Sequence, residues 1–228
     1  INPRPTIRKE RLIDSNTQAR VFEIYEMDDS PLTEESKLQF WSEIRQLRPT
    51  SEMTLIADYG HGLIDDVAAG ELALESPWLA VNAQTNAGNL GLNSIQKYPR
   101  ANFVTLNGNE IRLEARRRHV DFDQFIPQLR DAMGSQAVLV TQGADGLDLY
   151  LEDGRIERAP ALAPFVRDRV GAGDAVLAIT SMLMRVGAPE PIVGFLGNLV
   201  GAWAVSFLGN QRSLDIGTLK RQVLATLK

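Results

Sequence analysis

The sequence predicts an α/β fold, a mostly parallel sheet covered by helices on both faces. Short apolar runs of four to six residues recur near 53–57, 78–81, 103–106 and 137–140, and segments of helical spacing separate them. Runs that are apolar throughout mark strands buried on both faces, and helical crossovers are what join parallel neighbours. Scale agrees. At about 150 residues per domain, 228 residues make one large domain. A chain of that length buries roughly 70% of its unfolded surface and needs no disulfide or metal staple.

Residues 4–26 read as a hairpin, two β-rich runs around the turn-forming cluster Asp14-Ser15-Asn16-Thr17. Thr33, followed by Glu34, Glu35 and Ser36, caps a helix that carries Leu38, Trp41, Ile44 and Leu47 at helical spacing, and Pro49 closes it. Further helices are expected over 64–74 and 122–133. Residues 147–151 and 155–159 flank Glu152-Asp153-Gly154, a good hairpin turn. From Asp174 onward the pattern is helical, over 175–186, 191–208 and 216–227. Trp41, Trp78 and Trp203 sit in apolar patterns and are expected in the core.

Several function classes are excluded early. With 24 Lys+Arg against 29 Asp+Glu the net charge is −5, the wrong sign for a general nucleic-acid or anionic-membrane binder. The absence of cysteine removes disulfide frameworks, thiolate zinc sites and cysteine nucleophiles, and fits a cytoplasmic protein. The first 30 residues contain no signal-peptide core. Residues 192–209 are uncharged and contain a Gly197/Gly201 pair, but their length lies at the bottom of the spanning range. Four glycines, Asn198 and Ser206 dilute their apolarity, so the expectation is a buried core helix.

Three loops are candidates for chemistry. Asp168-Arg169-Val170-Gly171-Ala172-Gly173-Asp174 leads into an apolar helix. Small residues there let successive N–H groups converge at a helix N-terminus, which stabilises negative charge. Asp174 can take a proton from a hydroxyl attacking phosphorus, or it can simply cap the helix. Asn107 and Glu110 follow a strand with the spacing of one helical turn. They suit either a hydrated Mg²⁺ or a capping box. Thr141-Gln142-Gly143-Ala144-Asp145-Gly146 follows another strand; Gly143 and Gly146 suit close approach to a phosphate or a plain strand-to-strand turn. Ligands gather at the carboxyl ends of strands in such sheets, so all three loops can share one rim. Arg116-Arg117-Arg118-His119 reads as a solvated helix end.

On these residues the chain resembles the PfkB or ribokinase family of carbohydrate kinases. The family's glycine-aspartate signature matches 168–174, its Asn-x-x-Glu motif Asn107 and Glu110, and its Thr-x-Gly-x-x-Gly loop Thr141, Gly143 and Gly146. The resemblance implies a ribokinase-like sheet between helices with the remnant of a small β lid at 4–26, and a core at 33–228. It implies ATP-dependent transfer of phosphate to a sugar or sugar phosphate, with Asp174 as base and the Gly171, Ala172 and Gly173 amides as an anion hole. Asn107 and Glu110 would serve Mg²⁺. Thr141, Gly143, Gly146, Asn198 and Asp168 would border ATP, and a monovalent cation accompanies the glycine loop in some relatives.

Within the family the chain is most similar to the heptose-phosphate kinase domain of ADP-heptose synthesis enzymes, through Arg4-Pro5-Thr6 and Ala57-Asp58-Tyr59-Gly60-His61-Gly62. That likeness places Asp58, His61 and Asn82 near substrate. It implies a homodimer, or association with a nucleotidyltransferase domain, as the partner. His61 stands where those kinases usually have Lys, and 81–84 replaces an expected Asp-Pro-Lys. Relatives begin with a further third or so of chain, so 1–228 is expected to be a single kinase-like domain lacking its N-terminal part. A nucleotide-binding or scaffold module without phosphotransfer is the rival reading. A dinucleotide-dependent dehydrogenase is disfavoured, since no strand followed by Gly-x-Gly-x-x-Gly opens a βαβ unit.

Overall fold

A computed structural model describes residues 6–227 apart from 18, 29, 90, 210 and 211; Arg4 and Pro5 lie outside the described residues. Strands β1 (Arg8–Ile13) and β2 (Arg20–Glu26) form a separate antiparallel hairpin. The main sheet has six strands in chain order: β3 (Thr54–Asp58), β4 (Leu79–Ala83), β5 (Phe103–Asn107), β6 (Ala137–Thr141), β7 (Leu147–Leu151) and β8 (Ile156–Ala159). The first four are parallel, and β7 and β8 return antiparallel. All five residues of β4 and of β7 are buried, the polar Asn82 and Asp148 among them, as expected for strands covered on both faces.

Seven helices are seen among the described residues: α1 (Glu34–Leu47), α2 (Asp66–Glu75), α3 (Gly108–Glu114), α4 (Phe122–Ala132), α5 (Ala172–Arg185), α6 (Glu190–Ala204) and α7 (Ile216–Thr226). On one face of the sheet, Val81, Val104 and Val138 pack against Leu72 of α2, Ile111 of α3 and Ile126 and Leu129 of α4. On the other, Ala80, Phe103, Leu139 and Leu149 pack against Val176 and Leu177 of α5 and Val193 of α6. Helix α7 closes on α6 through Leu219, Leu199 and Val200. Trp78 is buried and stacks on Phe103 at 6.4 Å. The ordering follows from the chain: α2 crosses from β3 to β4, α3 and α4 cross from β5 to β6, a long loop with one 3₁₀ turn at Ile95–Lys97 joins β4 to β5, and the strand ends that carry polar residues all fall on one rim.

Three helices depart from the sequence expectation. In α1, Thr33 Oγ1 does accept from the Ser36 N–H at 3.2 Å, but the packed face is Phe40, Trp41 and Ile44, while Leu38 and Leu47 are exposed. Helix α6 ends at Ala204, so residues 192–209 are not one helix. Among the described residues no helix is long and apolar enough to cross a membrane. Helix α5 begins at Ala172, ahead of the expected start, with Gly171 as its N-cap at φ 77°. That left-handed conformation is one glycine adopts without steric cost.

Candidate active site

A cleft of about 610 Å³ lies over the carboxyl ends of β3 to β6. Its floor includes Asn82, Gln84, Thr85, Asn107, Glu110 and Thr141, its back wall is the loop and first turn of α5, and the hairpin closes the front.

Asp174 stands in the first turn of α5, two residues past Ala172. It does not cap the helix, because that position belongs to Gly171, which offers no side chain. The first amides of a helix have no intrahelical partner and carry the positive end of its dipole. Gly171, Gly173 and Asp174 all line the cleft, so a carboxylate and the start of a helix share one space, while the Ala172 N–H turns to the Arg169 carbonyl at 3.4 Å. Both carboxylate oxygens already accept hydrogen bonds, Oδ2 from the Tyr59 hydroxyl at 2.8 Å and Oδ1 from the Gln84 amide at 2.5 Å.

Asn107 and Glu110 form the capping box at the start of α3. Asn107 Oδ1 accepts from the N–H groups of Asn109 and Glu110, and Glu110 Oε2 accepts from the Asn107 N–H at 2.8 Å. Glu110 does more than cap. It is buried, and its Oε1 accepts from the Thr85 N–H at 3.2 Å. Asn82, also buried, donates to the Thr105 carbonyl at 2.7 Å and approaches Glu110 at 3.5 Å. Burial pushes the Glu110 carboxyl up to about 7, against the pull of its N–H and amide donors and with help from the charge of Asp174. Among the described residues no group of three or more His, Cys, Asp or Glu could hold a metal ion.

The hairpin wall is an ionic network. Glu23 accepts from Arg11 at 2.7 Å, from Arg20 and from the Tyr25 hydroxyl at 2.8 Å. Burial pushes its carboxyl up, but these donors more than offset that and hold it at about 2. Lys9 reaches across to His61 Nε2 at 2.9 Å. Burial, and next the nearby Arg11 charge, lower the Lys9 ammonium. His61 is thus a partly buried cleft residue bound to the hairpin, not a solvated loop residue.

Other expected site residues sit outside the lining. Asp58 is buried beneath the cleft, where its carboxylate accepts from Lys97 Nζ at 2.5 Å, the Tyr98 hydroxyl at 2.8 Å and the Gly60 N–H at 2.9 Å. Asp168 ties the loop before α5 to the segment after α6, accepting from the N–H groups of Val170 and Gly209. Asn198 donates to the Ala159 carbonyl at 3.0 Å. Gly146, at φ 94°, faces backbone rather than open space: a Cβ there would stand 2.2 Å from the Ala159 carbonyl oxygen. In this loop Thr141 reaches the cleft, while Gly143 and Gly146 shape the turn into β7. Sequence reasoning assigned no role to Tyr59, Gln84, Lys9, Arg11 or Glu23. The alternation Ile7, Lys9, Arg11 along β1 was the available signal for the hairpin wall, since alternate residues share one face.

The sequence pattern described as pfkB family carbohydrate kinase matches residues 81–216, more than half of the chain. The chain belongs to the pfkB family. It is 33% identical over 184 residues to the bifunctional protein HldE of Paramagnetospirillum magneticum, covering 79% of this chain and 37% of that protein. It is 28% identical to HldE of Rhodopseudomonas palustris, covering 97% and 45%. This pfkB chain thus spans less than half the length of those relatives. Solved structures share its fold. Phosphofructokinase-2 from Escherichia coli in complex with potassium superposes with a TM-score of 0.74 at 12% identity, covering 96% of this chain and 70% of that one. Ribokinase from Thermotoga maritima gives 0.70 at 16% identity, covering 96% and 70%.

Proposed function

We propose that this pfkB chain carries the phosphotransfer machinery of an ATP-dependent kinase acting on a sugar or sugar phosphate, with a heptose phosphate as the leading acceptor. The observation that carries the reading is Asp174 in the first turn of α5, sharing one cleft with Gly171 and Gly173 at the helix start. The acceptor hydroxyl gives its proton to Asp174 as its oxygen bonds to the γ-phosphorus, and the bond from that phosphorus to the bridging oxygen of ADP breaks. Amides at the end of the helix dipole stabilise the equatorial oxygens. Mg²⁺, when bound, neutralises phosphate charge, and Glu110 with Asn107 is suited to hold its water shell. Thr141 borders the nucleotide, with Gly143, Gly146, Asp168 and Asn198 supporting that side from behind. His61 and Asn82 face the acceptor, and Asp58 braces the loop below them. The proposed setting is cytoplasmic, with a nucleotidyltransferase unit or a second copy as partner.

The test is ADP release from Mg·ATP across a panel of sugars and sugar phosphates, with and without potassium, using the protein as its gene encodes it. Asp174→Asn should lower turnover by about 10²- to 10⁴-fold and leave ATP binding by calorimetry unchanged. A mutant that keeps its rate removes Asp174 from the chemistry. A second reading, a nucleotide-binding module without transfer, draws on Gln84 and His61 at positions where lysines were expected; ATP bound without turnover selects it.

A further inference from the structure

We infer that Tyr59 and Gln84 are positioning residues for Asp174, a clamp of two neutral donors that fixes the plane of the carboxylate. The inference rests on the phosphotransfer reading. Three chain segments meet at this point: the loop after β3 brings Tyr59, the loop after β4 brings Gln84, and α5 brings Asp174, 115 and 90 residues further on. Each donor takes one oxygen, Tyr59 at 2.8 Å and Gln84 at 2.5 Å.

What singles out the pair is the pedestal beneath it. Asn89 donates to the Tyr59 carbonyl at 3.0 Å and to the Gln84 carbonyl at 2.7 Å. Asn86 donates to the Tyr59 carbonyl at 2.8 Å, and Asn93 to the Asp58 carbonyl at 2.9 Å. Asn89 Oδ1 in turn accepts from the N–H groups of Asn86 and Gly91. Asn89 and Asn93 are buried. Between the two loops Gly60 sits at φ 66°, where a Cβ would lie 2.6 Å from Asn93 Cβ. Asparagines on an exposed loop would bind water; these hold the backbone of the two residues that touch the base.

The chemistry follows from the kind of donor. A carboxylate oxygen accepts more than one hydrogen bond, so one fixed donor on each leaves room for the acceptor hydroxyl. A neutral donor orients the base without supplying a full positive charge, which would weaken its pull on a proton. The groups around the clamp are Glu110 on the floor, Arg169 ahead of α5, His61, and Lys9, whose ammonium lies 5.3 Å over the Tyr59 ring. Burial, then the hydrogen bond to Asp174, push the Tyr59 hydroxyl up to about 12, so it remains a donor at neutral pH.

The experiment compares variants in the ADP-release assay. Tyr59→Phe and Gln84→Leu should each lower kcat by about 10- to 100-fold, as misplacement of a reacting group does, with KM for ATP and acceptor unchanged. Gln84→Lys keeps a donor but brings the full positive charge that weakens the base, so it should recover only part of the loss of Gln84→Leu and stay below wild type. If both kcat values stay at the wild-type level, the clamp is wrong; if Tyr59→Phe raises kcat, Tyr59 obstructs the acceptor instead of orienting the base. Wild-type protein without turnover would defeat the phosphotransfer reading, and a second readout then judges the clamp alone. Carbon-13 NMR of tyrosine Cζ, with Tyr59 assigned by Tyr59→Phe, should show Tyr59 still protonated over about pH 8 to 11 in wild type and beginning to ionise within that window in Asp174→Asn. Identical titrations overturn the clamp whatever the turnover.

Discussion

The ends of β3 and β5 look alike in sequence and differ in physics. Each brings a carboxylate to the rim, Asp58 from β3 and Glu110 just beyond β5, and each is nearly inaccessible, at 4% and 7% exposure. Asp58 is closed off by an ammonium, a phenol and a backbone N–H. Glu110 meets only neutral donors, and burial drives its carboxyl up to about 7. A buried charge with a bonded counter-charge is a brace. A buried charge without one keeps a demand for a proton or a cation, and in this cleft that demand sits on the floor.

Breaking the brace should have the largest effect. Lys97→Met strands the Asp58 charge, since Lys97 also holds the Ile64 carbonyl and Asn93. Urea unfolding should show a loss of about 3–5 kcal/mol, the usual result of removing one member of a buried pair. Glu110→Gln sharpens the comparison from the other side. Between about pH 4.5 and 7 the folded protein keeps a proton on Glu110 that the unfolded chain has released, so this contribution is complete below 4.5 and is lost as pH rises through 7. It amounts to about 3 kcal/mol. The wild type should therefore show a fall over that window that Glu110→Gln lacks; equal slopes would mean that Glu110 titrates normally. The smallest effect is expected from Tyr98→Phe, which removes one donor from Asp58 and should cost about 1.5–3 kcal/mol by the same unfolding measurement. A larger loss than for Lys97→Met would reverse the roles given to the two donors.

Much of this architecture was legible because strands buried on both faces admit few residue types, and 79–83, 103–107 and 137–141 spell that out. The turn at Glu152–Gly154 and the cap at Asn107 were equally readable, being short-range. The start of α5 was not. Gly171, Ala172 and Gly173 read as loop residues, whereas the helix begins at Ala172 behind a left-handed Gly171 cap. Asp58 misled for a related reason: its partners Lys97 and Tyr98 are remote in sequence, so nothing local distinguishes a brace from a ligand. Tyr59 and Gln84 went unassigned because a carboxylate bonded from two other strand ends leaves no spacing pattern. The hairpin wall lay between these cases, with its alternation visible and its ionic pairing hidden.

The order of assembly gives α5 a second significance. Strands β3 to β8 are added side by side in chain order, yet α5, which packs beneath β3, β4 and β5, is made after all of them. Until it docks, one face of the older half of the sheet is bare, and the cleft has neither its amides nor Asp174. The helix that completes the core is the same helix that brings a carboxylate, Asp174, to the cleft. A molecule in which α5 has not docked is therefore unfinished twice over, in its core and in its cleft.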